Sequence, residues 1–274
     1  MRNGLGLAQA FRTITIIPAK GPDAKKSSTQ LHFYPLVGLV IGTLGCLLEC
    51  LLLFLCERFG FSSSEGGAAS TLPHSGNLPG TIYLVLGVVW TCYMAFVTRG
   101  FHLDGLGDTA DGFGGGWTKE RRLEIMKDSR SGSFAVVAIA LCLVLKAATA
   151  ALALQKGMIL ALLCSCVLSR YQVVLMSCLC NYAKNQGLSY DLVTGAGAVH
   201  VLSCTVQVGV SGLGLWYIGG SMACFVVQAL FSTFSMAILA IVSRKKIGGV
   251  TGDVLGACCE VSEAMSLVCV LFVK

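Results

Sequence analysis

The sequence predicts an all-α, polytopic integral membrane bundle of about seven transmembrane helices, with its chemistry at the cytoplasmic face. Three observations carry that reading. Of the 274 residues, 55% are hydrophobic and only 12% are charged, about half the charged fraction of a soluble domain. Mean hydropathy is +0.76, and the apolar residues gather into runs near the ~20 residues that cross a hydrocarbon core. The basic residues, finally, alternate between crowded and nearly empty loops, as the positive-inside rule requires of a cytoplasmic face.

Taken in order, the apolar runs are Phe33 to Cys56, Gly80 to Val97, Ser133 to Leu154, Gly157 to Asn181, Ala196 to Gly219, Ser221 to Val242 and Val254 to Val273. The fifth is the weakest, because it contains His200, Gln207 and the glycines Gly197, Gly209, Gly212 and Gly214; it is either distorted or packed closely through small residues. Before the first run, Ile14, Ile16 and Ile17 are interrupted by Arg12 and Pro18, too short a patch for a signal-peptide core, so no cleaved signal is expected. The whole chain, 1–274, reads as one polytopic membrane domain with no internal repeat. Residues 57–79, rich in Gly, Ser and Ala, read as a flexible outer connection. Most of the 14 cysteines lie within apolar runs, where Cys acts as a small hydrophobe, and none has the spacing and accompanying His of a zinc site.

Seven crossings place fifteen of the 20 Lys and Arg residues on the side of the N-terminus, including Arg99, Lys119, Arg121, Arg122, Lys127, Arg130 and Arg244–Lys246. The N-terminus and the loop 98–132 are therefore expected on the cytoplasmic side of the cell inner membrane. The net charge of +6 is accounted for by basic loops facing anionic lipid, so no nucleic-acid partner is required. An oligomer is compatible with the sequence, which does not demand one.

The loop 98–132 carries the chemistry. It opens with Thr98-Arg99-Gly100-Phe101-His102-Leu103-Asp104-Gly105-Leu106-Gly107-Asp108-Thr109-Ala110-Asp111-Gly112. If this stretch is helical, Asp104, Asp108 and Asp111 stand at i, i+4 and i+7 on one face. Three carboxylates so placed repel one another unless a cation joins them, and hard oxygen donors suit Mg²⁺ shared with substrate phosphates. The glycines weaken a helix by about 1 kcal/mol each against Ala, which predicts a short or ligand-ordered helix. His102 is a candidate general base or ligand; a hydrogen bond that fixes the loop explains it equally well.

Next comes a basic stretch expected to be helical from Thr118 to near Gly132. Either it is an interfacial helix laced with ion pairs, or Arg121, Arg122, Lys127 and Arg130 grip a diphosphate; the adjacent acidic cluster favours the second reading. A fourth carboxylate, Asp253, arrives in the inner loop Lys246-Ile247-Gly248-Gly249-Val250-Thr251-Gly252-Asp253, which taken alone reads as a tight turn with basic anchors. Glu49, Lys146, Arg170, Glu260 and Glu263 fall within the apolar runs. Structural pairing is the expectation for all five, with Glu260 and Glu263 neutralising Lys146 and Arg170, and Arg170 is the exception most open to a substrate role.

At these residues the chain resembles the cobalamin synthase family, the adenosylcobinamide-GDP ribazoletransferases. The resemblance runs nearly end to end: Phe33-Tyr34-Pro35-Leu36-Val37-Gly38, the run from His102 to Gly112, Arg121-Arg122-Leu123-Glu124-Ile125-Met126-Lys127-Asp128-Ser129-Arg130, Lys146, Ser169-Arg170, and Gly248 through Ala257. It implies the last assembly step of the cobalamin nucleotide loop. A ribose hydroxyl of α-ribazole, or of its 5′-phosphate, displaces GMP from adenosylcobinamide-GDP to give adenosylcobalamin or its 5′-phosphate. In that setting Asp104, Asp108 and Asp111 are the expected Mg²⁺ ligands, and Arg121, Arg122, Lys127 and Arg130 hold the diphosphate, with Arg99 and Arg170 as further substrate contacts. Asp253 is a ligand or orients the ribose hydroxyl. Two rivals remain. A CDP-alcohol phosphotransferase needs Asp-Gly-x-x-Ala-Arg, but here Asp104-Gly105 is followed by Leu106-Gly107-Asp108-Thr109. A transporter would place its polar site near the midplane, whereas these motifs gather at one surface.

Overall fold

The protein's computed structural model describes residues 4–59 and 78–273. Most of the predicted outer connection, with Arg2 and Lys274, lies outside the described residues. Helix α1 (Gly4–Ile14) and a 3-10 segment (Ser27–Phe33) precede α2 (Tyr34–Arg58), α3 (Gly80–Val97), α4 (Phe101–Gly115), α5 (Lys119–Ile125), α6 (Ser133–Gln155) and α7 (Ile159–Leu179). Then follow α8 (Tyr190–Thr194), α9 (Ala198–Tyr217), α10 (Met222–Ile247) and α11 (Gly252–Val268). Among the described residues the one β-type pairing is an isolated parallel bridge between Tyr182 and Val250.

Seven of these helices, α2, α3, α6, α7, α9, α10 and α11, are long and apolar enough to cross a membrane, so the predicted multi-pass architecture is present with all seven spans. Two of them form the centre. In α7 and α11, 78% of the most apolar stretch is buried, against 22–39% in the other five. Around that pair α2 and α10 pack on α7, α3 packs on α6, and α4 lies along α11. The outer helices turn Leu47, Phe54, Val85, Leu141 and Phe234 outward, each more than half exposed; in water such apolar area would be a liability, and in lipid it is matched to its solvent.

The fifth span is an uninterrupted helix, and the polar residues that weakened its sequence signal have partners. Gln207 Nε2 donates to His32 O at 2.6 Å, His32 Nδ1 meets Ser203 Oγ at 2.6 Å, and the His32 and His200 rings stack with centroids 4.2 Å apart. They bind α9 to the 3-10 segment.

In the middle of the bundle, Lys146 Nζ lies 2.8 Å from Glu260 Oε2 and 2.6 Å from Glu263 Oε1, while Arg170 pairs with the other Glu263 oxygen and donates to Ser169 Oγ at 2.9 Å. All four are nearly inaccessible. Two cations thus face two anions, as buried charge requires, and Arg170 joins this network through Nη1, while Glu49, also expected to pair, is fully buried in α2 with no partner for either oxygen among the described residues.

The short segments cluster at one end of the bundle, where α3, α7 and α10 finish and α2, α6, α9 and α11 begin. There α1 is sewn to the α3–α4 corner: Ile16 N donates to Val97 O at 2.7 Å and Arg99 Nη2 donates to Arg12 O at 2.8 Å. The Tyr182–Val250 bridge joins the loop after α7 to the loop before α11. Chain segments far apart in sequence therefore meet around α4.

Candidate active site at one end of the bundle

Helix α4 forms over its full 15 residues despite Gly105, Gly107, Gly112, Gly114 and Gly115. Tertiary packing outweighs its poor propensity, and Gly105 shows how. A Cβ at Gly105 would sit 2.7 Å from the carbonyl oxygen of Asp253, so the absent side chain lets the two backbones cross at contact. That crossing brings Asp104 and Asp108 of α4 beside Asp253 of α11. A cavity of about 250 Å³ opens there, lined by Asp104, Asp253, Lys127, Tyr182, Lys184 and Ser189 among others.

Among the described residues none of Asp104, Asp108 and Asp253 forms an ion pair. Asp253 accepts a hydrogen bond from Thr251 Oγ1 at 3.1 Å, and the same hydroxyl caps α11 by accepting from Val254 N. Burial, followed by the charges of Asp104, Asp253 and Asp111, raises the Asp108 carboxyl to about 6, against the pull of Lys184. A carboxyl crowded by like charges is a place where a cation is favourable.

Asp111 shares the face but has other work. Its Oδ2 accepts from Gly132 N at 2.6 Å and its Oδ1 from Ala135 N at 2.9 Å, so both oxygens cap the start of α6. Gly132 is part of the same device, since a Cβ there would stand 2.7 Å from Asp111 Oδ1.

The basic stretch is a shorter helix than the sequence suggested. Thr118 caps it as expected, accepting from Arg121 N, but α5 stops at Ile125 because Asp128 takes the Arg130 amide at 3.1 Å and its guanidinium at 2.7 Å, an alternative to helical pairing. Those bonds hold the Asp128 carboxyl down at about 2. The extended backbone at Gly132 then delivers the chain to Asp111.

The remaining predicted residues separate by partner. Lys127 lines the acidic cavity. Arg121, paired with Glu124 at 2.8 Å, and Arg130 line a neighbouring open groove that also includes Asp111. Arg122 Nη1 donates to Lys246 O at 2.8 Å and Lys246 Nζ to Phe113 O at 2.7 Å, stitching α5, α10 and α4 together. Arg99 is held by α1, and Arg170 by the buried network. His102 is 4% exposed; burial, reinforced by Arg170, pushes its imidazole down to about 3, so it is neutral at pH 7.

Comparison with known proteins decides the family. The profile of the family described as cobalamin-5-phosphate synthase matches residues 66–271. The chain belongs to this family. It is 35% identical to the adenosylcobinamide-GDP ribazoletransferase of Prosthecochloris aestuarii, with 95% of this chain and 94% of the relative covered. The protein of the same name from Chlorobaculum tepidum is 36% identical over 94% of this chain and 92% of its own length, and that from Syntrophobacter fumaroxidans 33% over 97% of each. No solved structure matches.

Within a family of that name, Mg²⁺ can be tested against the residues present. Among the described residues no group of three or more His, Cys, Asp or Glu side chains closes around a metal ion, so a complete protein cage is absent. Mg²⁺ seldom uses one; it is commonly held by one or two carboxylates together with waters and substrate phosphates. Asp104 and Asp108, oxygen donors one helical turn apart with no cationic partner, fit that mode. Sequence reasoning gave no role in the site to Lys184, Thr251 or Gly132, although Lys184 is an isolated charge in an inner loop, Thr251 lies in the motif before Asp253 and Gly132 marks the expected end of the basic helix.

Proposed function

We propose that this protein transfers the adenosylcobinamide phosphate of adenosylcobinamide-GDP to α-ribazole or its 5′-phosphate, releasing GMP and forming adenosylcobalamin or its 5′-phosphate. One observation carries the reading beyond the family name: the unpaired carboxylates of Asp104 and Asp253 line one cavity with Lys127 and Lys184, and Asp108, one helical turn from Asp104, feels the charges of both carboxylates and of Lys184. Anionic groups there suit a cation, and the cationic groups suit phosphate.

Asp104 and Asp108 would hold Mg²⁺, which when bound would neutralise phosphate charge and make the phosphorus under attack more electrophilic. Lys127 and Lys184 bind the diphosphate at the other side of the cavity, and Arg121 and Arg130 extend positive charge along the adjoining groove toward the leaving GMP. Asp253, steadied by Thr251, orients the attacking ribose hydroxyl as acceptor of its proton. His102, neutral and buried, serves as a hydrogen-bonding group and not as a base. Asp111 keeps the α4–α6 corner in place. The concentration of basic residues at this end supports a cytoplasmic location for the N-terminus and the site in the inner membrane.

Detergent-purified protein supplied with adenosylcobinamide-GDP, α-ribazole and Mg²⁺ is expected to release GMP, with none above background when the acceptor or Mg²⁺ is withheld. Equal GMP in the Mg²⁺-free control, or none anywhere, contradicts the proposal. For orientation, a cysteine placed at Trp117, which is 91% exposed, is expected to react with impermeant maleimide only after cells are opened; labelling of intact spheroplasts contradicts the cytoplasmic placement.

A further inference from the structure

A second cavity, of about 340 Å³, lies behind the acidic one, between α1, the 3-10 segment, α4, α7 and α11. It shares Phe101, Leu188, Ser189 and Gly252 with the acidic cavity, so the two are neighbouring chambers of one groove. Their chemistry differs. The second chamber has no carboxylate in its lining, and its one basic residue, Arg99, already donates to Arg12 O and Thr13 O. The larger part of its wall is apolar or aromatic, with Ile14, Tyr34, Val173 and Leu255, and neutral polar side chains such as Gln9, Thr13 and Ser27 complete it.

Two buried polar atoms in that lining have no partner. Gln30 and His102 are each 4% exposed, and Gln30 Oε1 and His102 Nδ1 form no hydrogen bond, although Gln30 Nε2 donates to Ser27 Oγ at 3.1 Å. Bare polar atoms in a buried site carry an uncompensated desolvation cost, which a ligand can relieve. Predominantly apolar walls with a few convergent polar groups, in a volume of a few hundred Å³, are the usual make-up of a small-molecule pocket. The one cation, Arg99, spends Nη2 on backbone carbonyls of α1, and a guanine would find no carboxylate for its ring N–H and amino group. A neutral nucleoside finds both things it needs: apolar walls for a flat base and two polar atoms for hydroxyls.

We propose that this second chamber is the acceptor subsite, taking the planar, apolar base of the acceptor nucleoside while Gln30 and His102 hydrogen-bond its ribose. The inference rests on the transfer reaction proposed above. A nucleoside seated there passes its sugar by Phe101, Ser189 and Gly252 toward Asp253, the residue next in sequence to Gly252, and toward Asp104 of the adjacent chamber. Acceptor and donor thus occupy separate compartments, and only the reacting groups meet at the carboxylates.

Two variants test this, Thr13→Trp to fill the chamber from the half-buried α1 and Gln30→Met to remove the amide at constant bulk. Steady-state GMP release is measured with each substrate varied in turn, and α-ribazole binding is measured by calorimetry with no donor present. Thr13→Trp is expected to raise the KM for α-ribazole by ~10-fold or more and Gln30→Met by ~5-fold. The KM for adenosylcobinamide-GDP should stay within about twofold of the parent value, the two compartments being separate. A rise confined to the donor KM overturns the inference by making the chamber a donor site, and unchanged constants for both substrates overturn it outright. If the parent protein binds α-ribazole in a Gln30-dependent way yet releases no GMP, the subsite stands and the transfer reaction falls. If it releases GMP and neither variant alters acceptor binding, the reverse holds. Gln30→Met preserves side-chain volume and carries the test if the tryptophan variant does not fold.

Discussion

Two charged clusters in this protein are built on opposite terms. In the bundle's middle, Lys146, Arg170, Glu260 and Glu263 are all but excluded from solvent and are joined cation to anion. At the bundle's end, Asp104, Asp108 and Asp253 gather without an ion-pair partner among the described residues, and the charges of Asp104 and Asp253 add to the burial that raises the cost of ionising Asp108. The first arrangement is balanced in charge and the second is not. Balanced charge fixes the packing of α6, α7 and α11; unbalanced charge at the bundle's end leaves room for a ligand of the opposite sign. Polarity inside a membrane protein therefore separates into structure and function by its state of compensation, more sharply than by depth.

The largest expected effect breaks the compensated cluster. Replacing Glu263 with Leu strands Arg170 and leaves Lys146 with Glu260 alone, and a single broken buried pair typically costs about 3–5 kcal/mol; a large drop in the detergent unfolding midpoint is expected, with loss of expression an extreme form of it. An unchanged midpoint would mean that the network is not compensated as described. Replacing Asp108 with Asn should do the opposite: turnover falls by ~10²-fold or more as a cation-holding oxygen is lost, while the metal-free protein unfolds no earlier, or later, than the parent. Retained turnover would remove Asp108 from the site. Gly105→Ala comes next. Its Cβ would press on the Asp253 backbone, and overpacking of this kind costs about 1–3 kcal/mol; a ~10-fold loss of turnover with modest destabilisation is expected, and unaltered kinetics would show that the α4–α11 crossing does not set the site.

The smallest effect concerns pH. Because Asp108 titrates at about 6 in the folded protein, above its ordinary carboxylate range, the folded state holds the proton more tightly than the unfolded chain does. Its contribution to stability is present at low pH and is lost as pH rises from about 4 through 6. Subtracting the Asp108→Asn curve isolates this term from the opposing one at His102. The difference should favour the variant increasingly up to about pH 6 and then level off, and Mg²⁺ should shrink it. A flat difference from pH 4 to 7 would show that the like charges do not crowd Asp108.

How much of this could be read in the sequence follows from the range of each interaction. Spans are local patterns of hydropathy, and all seven were visible; so was the pairing of Glu260 and Glu263 with Lys146 and Arg170, because buried charge has few alternatives. Asp104 and Asp108 were legible as neighbours at i and i+4 once α4 was taken as a helix. The same spacing argument placed Asp111 with them, and there the periodicity was insufficient: what occupies Asp111 is the amides of Gly132 and Ala135, brought back by the turn at Asp128. Likewise α5 was expected to run to near Gly132 because Thr118 and Gly132 read as its start and stop, whereas a side-chain bond to the Arg130 amide ends it early. The second chamber was not legible at all, since its walls come from α1, the 3-10 segment, α4, α7, the loop before α8 and α11, and no local pattern encodes their meeting.

The contrast between the two clusters can be measured with one probe. Mn²⁺ stands in for Mg²⁺ at oxygen sites, and its free concentration can be followed by electron paramagnetic resonance as it is titrated into detergent-purified protein with adenosylcobinamide-GDP present. The account predicts saturable binding that Asp108→Asn weakens by ~10-fold or more while Glu260→Gln, in the compensated cluster, leaves it unchanged. Identical Mn²⁺ affinity in the parent and Asp108→Asn proteins would contradict it.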